Sequence, residues 1–313
     1  MSVLKATIAA LVCLFMGSNN NVVARLLDEN CGTSSDDPYD WNIIGGSRTN
    51  IHQNPWMVLV MSSKPCGGSL ITSRLVLTAA HCVLLEETYF VRLGEYQTLD
   101  PQPYCVNDHC IPRFYNISAD IKKIHKEFNK TTHKNDIALL RMSQAVEYSD
   151  YVRPICLLVN EQLEDTPTYN AIGWGGTEHG QSSRILLKTT VYYMNVLYCN
   201  KKYQKQADQS QICAGSQTSN TCQGDSGGPL SYELQYGNKA LTFQYGLVSY
   251  GSQICHVNTP AVYTNVSHHM NWIIDMMAEL ESRDTDNLLM YFNGFTVFKW
   301  PKNVQNLYYE SRY

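Results

Sequence analysis

The middle of the chain alternates short apolar runs with clusters of turn-forming residues. Residues 56–61, 74–77 and 245–249 are typical apolar runs, and glycine, proline, asparagine and serine separate them. Brief apolar runs bounded by turn residues are typical of the strands of β-barrels and β-sandwiches. We therefore predict an all-β domain from residue 43 to about residue 265.

A different periodicity follows this region. Met270, Ile273, Met277 and Leu280 are spaced by three, four and three residues. This spacing brings the four side chains onto one face of a helix. The pattern predicts an amphipathic C-terminal helix over residues 267–281 that closes the domain.

The N terminus has the pattern of a secretory signal peptide. Lys5 precedes an apolar run at residues 8–16, and small residues follow it at Gly17, Ser18 and Ala24. The run is shorter than the roughly 20 residues that a membrane-spanning helix needs. We therefore assign residues 1–24 to a signal peptide and expect a secreted, extracellular protein with no membrane span.

Charge and length narrow the class of protein further. The 313 residues allow one large domain or two small ones. Lys and Arg total 24 against 28 Asp and Glu, which gives a formal net charge of −4. Such a chain has no strong basic field that would attract nucleic acid or an anionic membrane. We expect neither as a partner.

The cysteine content agrees with secretion. The chain has 11 cysteines, and removal of Cys13 with the signal peptide leaves ten. An even number of cysteines in an oxidising compartment favours disulfides over metal sites or free thiols. The sequence therefore predicts a disulfide-rich domain.

Two segments outside the β-rich region have their own composition. Residues 25–42 are polar, acidic and turn-rich, and we interpret them as a short pro-segment. Residues 281–313 are an aromatic-rich C-terminal extension, with eight aromatic residues among 33. Exposed aromatic clusters tend to mark interaction sites. This extension either packs on the surface of the domain or binds another protein.

Three short motifs carry reactive side chains. They are Thr-Ala-Ala-His-Cys around His81, Asn-Asp-Ile-Ala-Leu-Leu around Asp136, and Cys-Gln-Gly-Asp-Ser-Gly-Gly-Pro around Ser226. Each alone has an ordinary structural interpretation, such as a packed histidine or an aspartate at the start of a strand. Together they offer the imidazole, carboxylate and hydroxyl that convert an alcohol into an acylating nucleophile.

With Ile-Ile-Gly-Gly at residues 43–46 and Cys-Gly-Gly-Ser-Leu-Ile at residues 66–71, residues 43–280 resemble a chymotrypsin-family serine protease. The chain is similar to arthropod haemolymph proteases, but without a clip module. The resemblance implies two six-stranded antiparallel β-barrels with the active site between them. It also implies a secreted endopeptidase made as a zymogen, with protein or peptide substrates, an activating protease and protein inhibitors as partners.

The resemblance implies a role for each reactive residue. Ser226 would be the nucleophile, His81 the general base and then acid, and Asp136 the residue that orients His81. The backbone N–H groups of Gly224 and Ser226 would form the oxyanion hole. The reaction would pass through an acyl-enzyme and needs no cofactor.

The activation sequence departs from the family pattern. In the family, cleavage before Ile43 would free an amino group that pairs with Asp225. Most relatives carry Arg or Lys before this bond, whereas this chain has Asn42. Either an Asn-directed protease cuts here, or activation is rare, or the protein acts as an uncleaved precursor.

The expected specificity pocket also differs. Asn220 takes the position at the base of the pocket where trypsin-like members carry Asp. A neutral amide cannot compensate a desolvated cation. Gly251 keeps the wall open, and Ala261 shortens the pocket by a methyl. We therefore expect a neutral, medium-sized substrate side chain, with Ser249 and Gly251 binding the substrate backbone as an added strand.

The resemblance implies four disulfides, and the two remaining cysteines are expected to pair with each other. A zinc site that uses His109 is the alternative for this last pair, although structural zinc needs about four ligands. The expected pairs are Cys31–Cys156, Cys66–Cys82, Cys199–Cys213, Cys222–Cys255 and Cys105–Cys110.

Weaker candidates remain. Glu95 is interpreted as a solvated surface acid; the alternative is a calcium site, because Glu95 matches a calcium-loop position of some relatives and Asp100 or Asp108 would assist. Asn116 and Asn129 begin glycosylation sequons in expected loops, whereas Asn265 lies near the last strand and is a poorer acceptor. The other histidines show no ligand spacing and are interpreted as surface or packing residues: His52, His125, His133, His179, His256, His268 and His269.

A non-proteolytic regulatory or binding protein on a protease scaffold is the alternative function. Asn42, Asn220 and the aromatic extension motivate it. We expect no catalytic metal under either interpretation.

Overall fold

The computed structural model describes residues 24–35, 42–43, 46–85, 88–98, 104–106, 109–111, 114–176, 182–217, 221, 224–252 and 259–291. Side chains are described in these ranges except at residues 42, 43, 46, 104–106, 109–111 and 281–291. Several predictions fall outside the described residues: almost all of the signal peptide, the extension beyond residue 291, Asn220, Cys222, Cys255, Asp100 and Asp108.

The described residues form short strands and two α-helices. The strands are β1 (Arg25–Leu26), β2 (Asn42–Ile43), β3 (Gly46–Arg48), β4 (Met57–Met61), β5 (Cys66–Thr72), β6 (Leu75–Thr78), β7 (Phe90–Leu93), β8 (Tyr104–Val106), β9 (His109–Ile111), β10 (Tyr115–Ile124), β11 (Ala138–Met142), β12 (Leu158–Val159), β13 (Thr168–Gly173), β14 (Leu187–Met194), β15 (Gln211–Gly215), β16 (Pro229–Tyr236), β17 (Lys239–Tyr250) and β18 (Ala261–Asn265). The helices are α1 (Val196–Tyr203) and α2 (Met270–Tyr291), and 3-10 turns lie at Ala80–Val83 and Ser267–His269.

The first barrel closes in the order β10-β11-β6-β5-β4-β7. All of its pairings are antiparallel. Its interior is filled by aliphatic side chains with no exposed surface, such as Val58, Val60, Leu70, Val76 and Leu140. Closure leaves the six strands without free edges, and burial of these side chains stabilises the ring.

The second barrel closes in the order β13-β16-β17-β18-β15-β14, because β14 also pairs with β13. Strands β3 and β2 extend this sheet from β14. Aromatic side chains fill much of the interior, including the buried Tyr169, Phe243 and Tyr263. The predicted all-β class and the pair of six-stranded antiparallel barrels are confirmed.

A buried polar contact joins the two barrels. The Ser69 hydroxyl of β5 donates to Gln244 Oε1 of β17 at 2.7 Å, and both residues are at most 1% exposed. The amide of Gln244 donates in turn to the carbonyl of Gly246. Because both partners are buried, loss of either one would leave a polar group unsatisfied.

The C-terminal helix forms where the periodicity predicted it. Met270, Ile273, Met277 and Leu280 are all buried, at no more than 8% exposed. The predicted end at residue 281 is wrong, since α2 continues to Tyr291. No Gly or Pro interrupts residues 281–291, so nothing in the backbone stops the helix there. None of the described helices has the length and apolar character that crossing a lipid bilayer requires.

Helix α1 was not predicted. It has only eight residues, and the Asn195 side chain caps it by accepting from the amide of Leu197 at 3.0 Å. Its single buried side chain is Cys199, so its sequence lacks the apolar stripe by which longer helices are recognised. A disulfide holds it instead.

Residues 25–32, which the sequence assigns to a pro-segment, pack on the second barrel. Strand β1 pairs with β12, and Leu26 and Cys31 are buried in the core of that barrel. The amide of Gly32 donates to the carbonyl of Pro154 at 2.8 Å. Gly32 has φ +71°, and a Cβ atom there would lie 2.5 Å from Cys156 Sγ. Only glycine fits this turn.

Three of the five expected disulfides are present among the described side chains. Strands β8 and β9 pair with Cys105 opposite Cys110, but the side chains of this hairpin are not described. The disulfides present are Cys31–Cys156, Cys66–Cys82 and Cys199–Cys213.

Candidate active site

Neighbouring strands of the first barrel bring His81 and Asp136 together. His81 lies in the 3-10 turn that follows β6, and Asp136 lies two residues before β11. The two strands are antiparallel, with Ala138 opposite Thr78, so the end of one meets the start of the other. A separation of 55 residues in sequence therefore becomes direct contact.

Asp136 is fully buried and accepts three hydrogen bonds at its carboxylate. The His81 ring bonds to it through Nδ1 at 2.7 Å, and the backbone amide of His81 donates at 2.9 Å. The hydroxyl of Ser249, from the second barrel, donates at 2.6 Å. Since a carboxylate only accepts, Nδ1 is the donor, and this tautomer of the imidazole has its lone pair at Nε2.

The turn that carries Asp136 is supported by His269, which the sequence pattern indicated only as a surface or packing residue. Asn135 has φ +54°, and its carbonyl accepts from the amide of Ile137, which makes a tight turn around Asp136. The buried His269 contacts Asn135 Oδ1 through Nε2 at 3.0 Å. Nothing in the spacing of the histidines indicated this contact, because the two residues are 134 positions apart.

Ser226 lies in the turn that leads into β16. Its carbonyl accepts from the amide of Gly67 at 2.7 Å, which fixes the turn against β5. Gly227 has φ +78°, and a Cβ atom there would lie 2.3 Å from the Thr78 hydroxyl. The glycine thus allows the turn to approach the end of β6, close to His81.

The described side chains show no hydrogen bond between the Ser226 hydroxyl and the His81 ring. His81 Nε2 instead lies 3.7 Å from the sulfur of Cys82, and the same sulfur lies 3.7 Å from the Ser226 carbonyl. Both residues therefore flank one disulfide. In proteins without bound substrate, such hydrogen bonds are often long and tighten only in the complex.

The cluster of Cys66, His81 and Cys82 has the composition of a metal site, with ligand atoms within 4.8 Å of one another. The two cysteines form a disulfide, however. Thiolates bind zinc, whereas a disulfide offers none. This cluster therefore cannot act as a Cys-His metal site in the oxidised protein.

Asp225 is enclosed by backbone. Its Oδ1 accepts from the amide of Gly175 at 2.8 Å. A Cβ atom on Gly173 or on Gly175 would lie 2.2 or 2.3 Å from the carboxylate. Ile43 lies in β2, paired with Gly46.

Part of the expected pocket is described. Ser249 and Ala261 are buried, and Gly251 follows β17. A Cβ atom on Gly251 would lie 3.4 Å from the methyl of Ala261, so the two residues are direct neighbours in the expected wall of the pocket. Beside them, the hydroxyls of Thr221 and Tyr263 lie 3.1 Å apart in a buried contact.

A basic and aromatic cluster adjoins His81. The ring of His133 lies 6.1 Å from the His81 ring and 5.0 Å from the Tyr250 ring. The Lys205 ammonium donates to His133 Nδ1 at 3.1 Å and lies 4.1 Å from the centre of the Tyr250 ring. The interpretation of His133 as an ordinary surface or packing residue missed this neighbourhood, although its position three residues before Asp136 was a usable signal.

Glu95 is buried, so the interpretation of a solvated surface acid is wrong. It is 2% exposed, and Arg92 approaches its carboxylate at 3.4 Å. Burial raises the pKa of Glu95 to about 7, and Arg92 partly offsets this rise. The described neighbour of this carboxylate is thus a guanidinium, which already supplies positive charge at the expected calcium position.

The sequons differ in their surroundings. Asn116 is exposed but lies within β10 opposite Arg92, so the prediction of a loop is wrong there. Asn129 is exposed in a turn, where its side-chain oxygen accepts from the amides of Thr131 and Thr132. Asn265 ends β18, as expected.

Comparisons with known proteins agree with this geometry. The family model described as Trypsin matches residues 43–273. The Spaetzle-processing enzyme of Drosophila melanogaster is 38% identical over 262 residues, which cover 74% of this chain and 65% of that protein. Serine protease grass of the same organism is 34% identical over 282 residues, which cover 83% of this chain and 74% of that protein.

A solved structure is similar as well. The crystal structure of Drosophila Grass, titled a clip serine protease of the Toll pathway, matches with a TM-score of 0.68 and 30% identity, covering 86% of this chain and 78% of that one. The family model, the relatives and the paired barrels agree. This chain therefore belongs to the trypsin family of serine-type endopeptidases.

Proposed function

We propose that this protein is a secreted serine endopeptidase, made as a zymogen, that cleaves peptide bonds through Ser226, His81 and Asp136. One observation carries the proposal: the buried carboxylate of Asp136 binds Nδ1 of His81 at 2.7 Å. This contact leaves Nε2 as the base. Replacing a buried ionic pair by apolar residues is often neutral or stabilising, so a buried aspartate with such partners supports a role beyond folding.

The chemistry follows from the state of the His81 ring. Nε2 accepts the proton of the Ser226 hydroxyl while its oxygen attacks the carbonyl carbon of the substrate. His81 then gives this proton to the leaving amine, and an acyl-enzyme remains. A water molecule then attacks the acyl-enzyme with His81 again as the base, and the carboxylic acid product is released while Ser226 regains its proton. Asp136 stabilises the imidazolium in both halves.

The oxyanion is assigned to the amides of Gly224 and Ser226. The left-handed φ of Gly224, +97°, supports this assignment, because a side chain there would be strained and would lie 3.1 Å from Gly175. Loss of one such donor typically lowers the rate about 100- to 1,000-fold.

Activation is proposed to follow cleavage before Ile43. The new amino group would pair with Asp225, whose carboxylate already binds the amide of Gly175. Asn42 still argues against a trypsin-like activator. We propose that the activating protease accepts asparagine or another uncharged residue before the bond.

The pocket supports a neutral preference. The methyl of Ala261 faces Gly251 and reduces the depth that a long basic side chain needs. The family pattern assigns Asn220 to the base of the pocket, and its neutral amide would supply no charge to pair with a cation. We propose a neutral, medium-sized residue before the scissile bond, and protein substrates in the extracellular space.

The decisive experiment labels the serine of a correctly cut protein. An Asn42→Lys variant allows trypsin to expose Ile43, and mass spectrometry verifies the cut. A fluorophosphonate probe should then label the cut protein at Ser226. A Ser226→Ala change in the same background should fold and be cut but remain unlabelled. Absence of labelling in folded, correctly cut protein would favour the second candidate.

That second candidate is a non-proteolytic binding protein on the same scaffold. Asn42 favours it, because an uncleavable precursor would never form the Asp225 contact. Detection of an Ile43 amino terminus in the native secreted protein would count against it.

A further inference from the structure

We propose that Lys205, held by His133 and Tyr250, forms a subsite that binds a carboxylate side chain of the substrate. The inference rests on the proposed endopeptidase function and adds a substrate class to it. The substrates would carry Asp or Glu at the second or fourth residue before the scissile bond.

The cluster has a fixed geometry. Lys205 follows α1, and the left-handed Gln204, with φ +52°, turns the chain at the end of this helix. The Cys199–Cys213 disulfide anchors α1 to β15, and the hydroxyl of Tyr203 donates to the carbonyl of Pro260. Lys205 therefore directly follows a helix that is anchored to the second barrel.

The ammonium of Lys205 has unused donor capacity. It has three N–H donors, and one of them reaches His133 Nδ1. The Tyr250 ring face adds a cation–π contact at 4.1 Å. Neither partner is negatively charged, and among the described residues no carboxylate forms an ion pair with Lys205.

A nearby lysine shows the contrast. Lys134 forms an ion pair with Asp208 at 2.6 Å. Lys205 is half-buried without such a partner, and this burial lowers its pKa, although the more distant charge of Asp136 acts in the opposite direction. A substrate carboxylate would supply the missing charge and would form charge-assisted hydrogen bonds.

The direction of the substrate places its side chains. Tyr250 lies between Ser249 and Gly251, the two residues expected to bind the substrate backbone as an added strand. Side chains of an extended strand alternate between two faces. If the side chain of the residue before the scissile bond enters the pocket lined by Ala261, the side chains of the second and fourth residues before that bond face His81 and His133.

The test uses the activated Asn42→Lys protein with its active sites counted by fluorophosphonate labelling. Cleavage of a peptide library first identifies a cleaved sequence. Matched peptides then carry Asp or Asn at the second position, or at the fourth. We expect kcat/KM to favour Asp about tenfold at one of these positions, which is the size of one charge-assisted hydrogen bond.

Three variants separate the subsite from general effects. Lys205→Met removes the charge, keeps most of the unbranched side chain and should reduce the Asp/Asn ratio to below about twofold. Lys205→Glu should reverse the preference toward Lys at the same position. Lys239→Met removes the same charge at the distant start of β17 and should keep the tenfold ratio.

The outcomes distinguish the two proposals. An Asp/Asn ratio near one in a labelled, active enzyme would overturn the subsite and leave the endopeptidase function intact. A ratio that Lys205→Met does not change would also overturn it. Failure of labelling would overturn the endopeptidase function and the subsite with it.

Discussion

The methyl group of Ala261 is a single-residue feature with a measurable consequence for specificity. It lies next to Gly251 in the expected wall of the pocket. Ala261→Gly should enlarge the pocket by one methyl, and one such group in an apolar pocket changes selectivity about 10- to 200-fold. We expect kcat/KM for substrates with phenylalanine before the scissile bond to rise about tenfold relative to alanine. An unchanged ratio would show that Ala261 does not line the pocket.

Glu95 gives a prediction about pH. Its pKa in the folded protein is raised to about 7 from an ordinary 4.5. Between these values the folded state holds a proton that the unfolded state has lost, so stability falls as pH rises through this window. Glu95→Gln removes this titration. The midpoint of denaturant unfolding for wild type, measured relative to Glu95→Gln, should decrease from pH 4.5 to pH 7.

A flat difference between the two proteins across that range would contradict the raised pKa. Added calcium tests separately whether Glu95 can bind a cation beside Arg92, because a bound cation would lower the pKa of Glu95. If added calcium stabilises wild type and not Glu95→Gln, the guanidinium of Arg92 does not prevent cation binding.

The residues that sequence predicts well are those in contiguous motifs. Thr-Ala-Ala-His-Cys and Gly-Asp-Ser-Gly-Gly each identify a candidate residue without knowledge of distant contacts. The cluster of His133, Lys205 and Tyr250 could not be predicted in this way, because its members come from three separate segments. The burial of Glu95 was missed for a similar reason, since its surroundings are assembled by the fold.

At the scale of elements, α2 packs through the four side chains that its periodicity identified. Ile273 is fully buried in this helix, whereas Asp275 two residues later is exposed. Ile273→Ala should lower the free energy of unfolding by about 2–5 kcal/mol, which is typical of a buried aliphatic truncation. Asp275→Ala is the matched control and should change it by less than about 0.5 kcal/mol. Denaturant unfolding of both variants measures the difference, and equal effects would contradict the packing.

Strands and helices differ in how far sequence predicted them. Short apolar runs such as residues 57–61 marked strands because turn residues bounded them closely. Helix α1 escaped prediction because a cap and a disulfide hold it without an apolar stripe. The end of α2 was misplaced because the apolar periodicity used to define it ends at Leu280, whereas the helical backbone continues to Tyr291.

At the scale of the whole molecule, residues 25–32 are joined to the second barrel by β1, by the turn at Gly32 and by the Cys31–Cys156 disulfide. After cleavage before Ile43, we expect residues 25–42 to remain attached. Denaturing gels should show one species without reductant and a released fragment with it. The paired change Cys31→Ser and Cys156→Ser should release the fragment without reductant. Release from wild type under non-reducing conditions would contradict this attachment.

The candidate site itself depends on both barrels. Asp136 comes from the first barrel and accepts from Ser249 of the second, and the carbonyl of Asp136 accepts from the Thr264 hydroxyl at 2.9 Å. The order of the motifs along the chain does not reveal this shared support. It arises only when the barrels close and meet along the Ser69–Gln244 contact.

The attachment of residues 25–32 to the second barrel affects how an antibody assay would quantify the cleaved and uncleaved forms of the protein. An antibody against residues 25–35 would bind the precursor and the mature form alike, because the epitope travels with the enzyme after maturation. Such a reagent reports the total pool. Only an antibody that requires the free amino terminus at Ile43 would report the fraction that has been cleaved before Ile43.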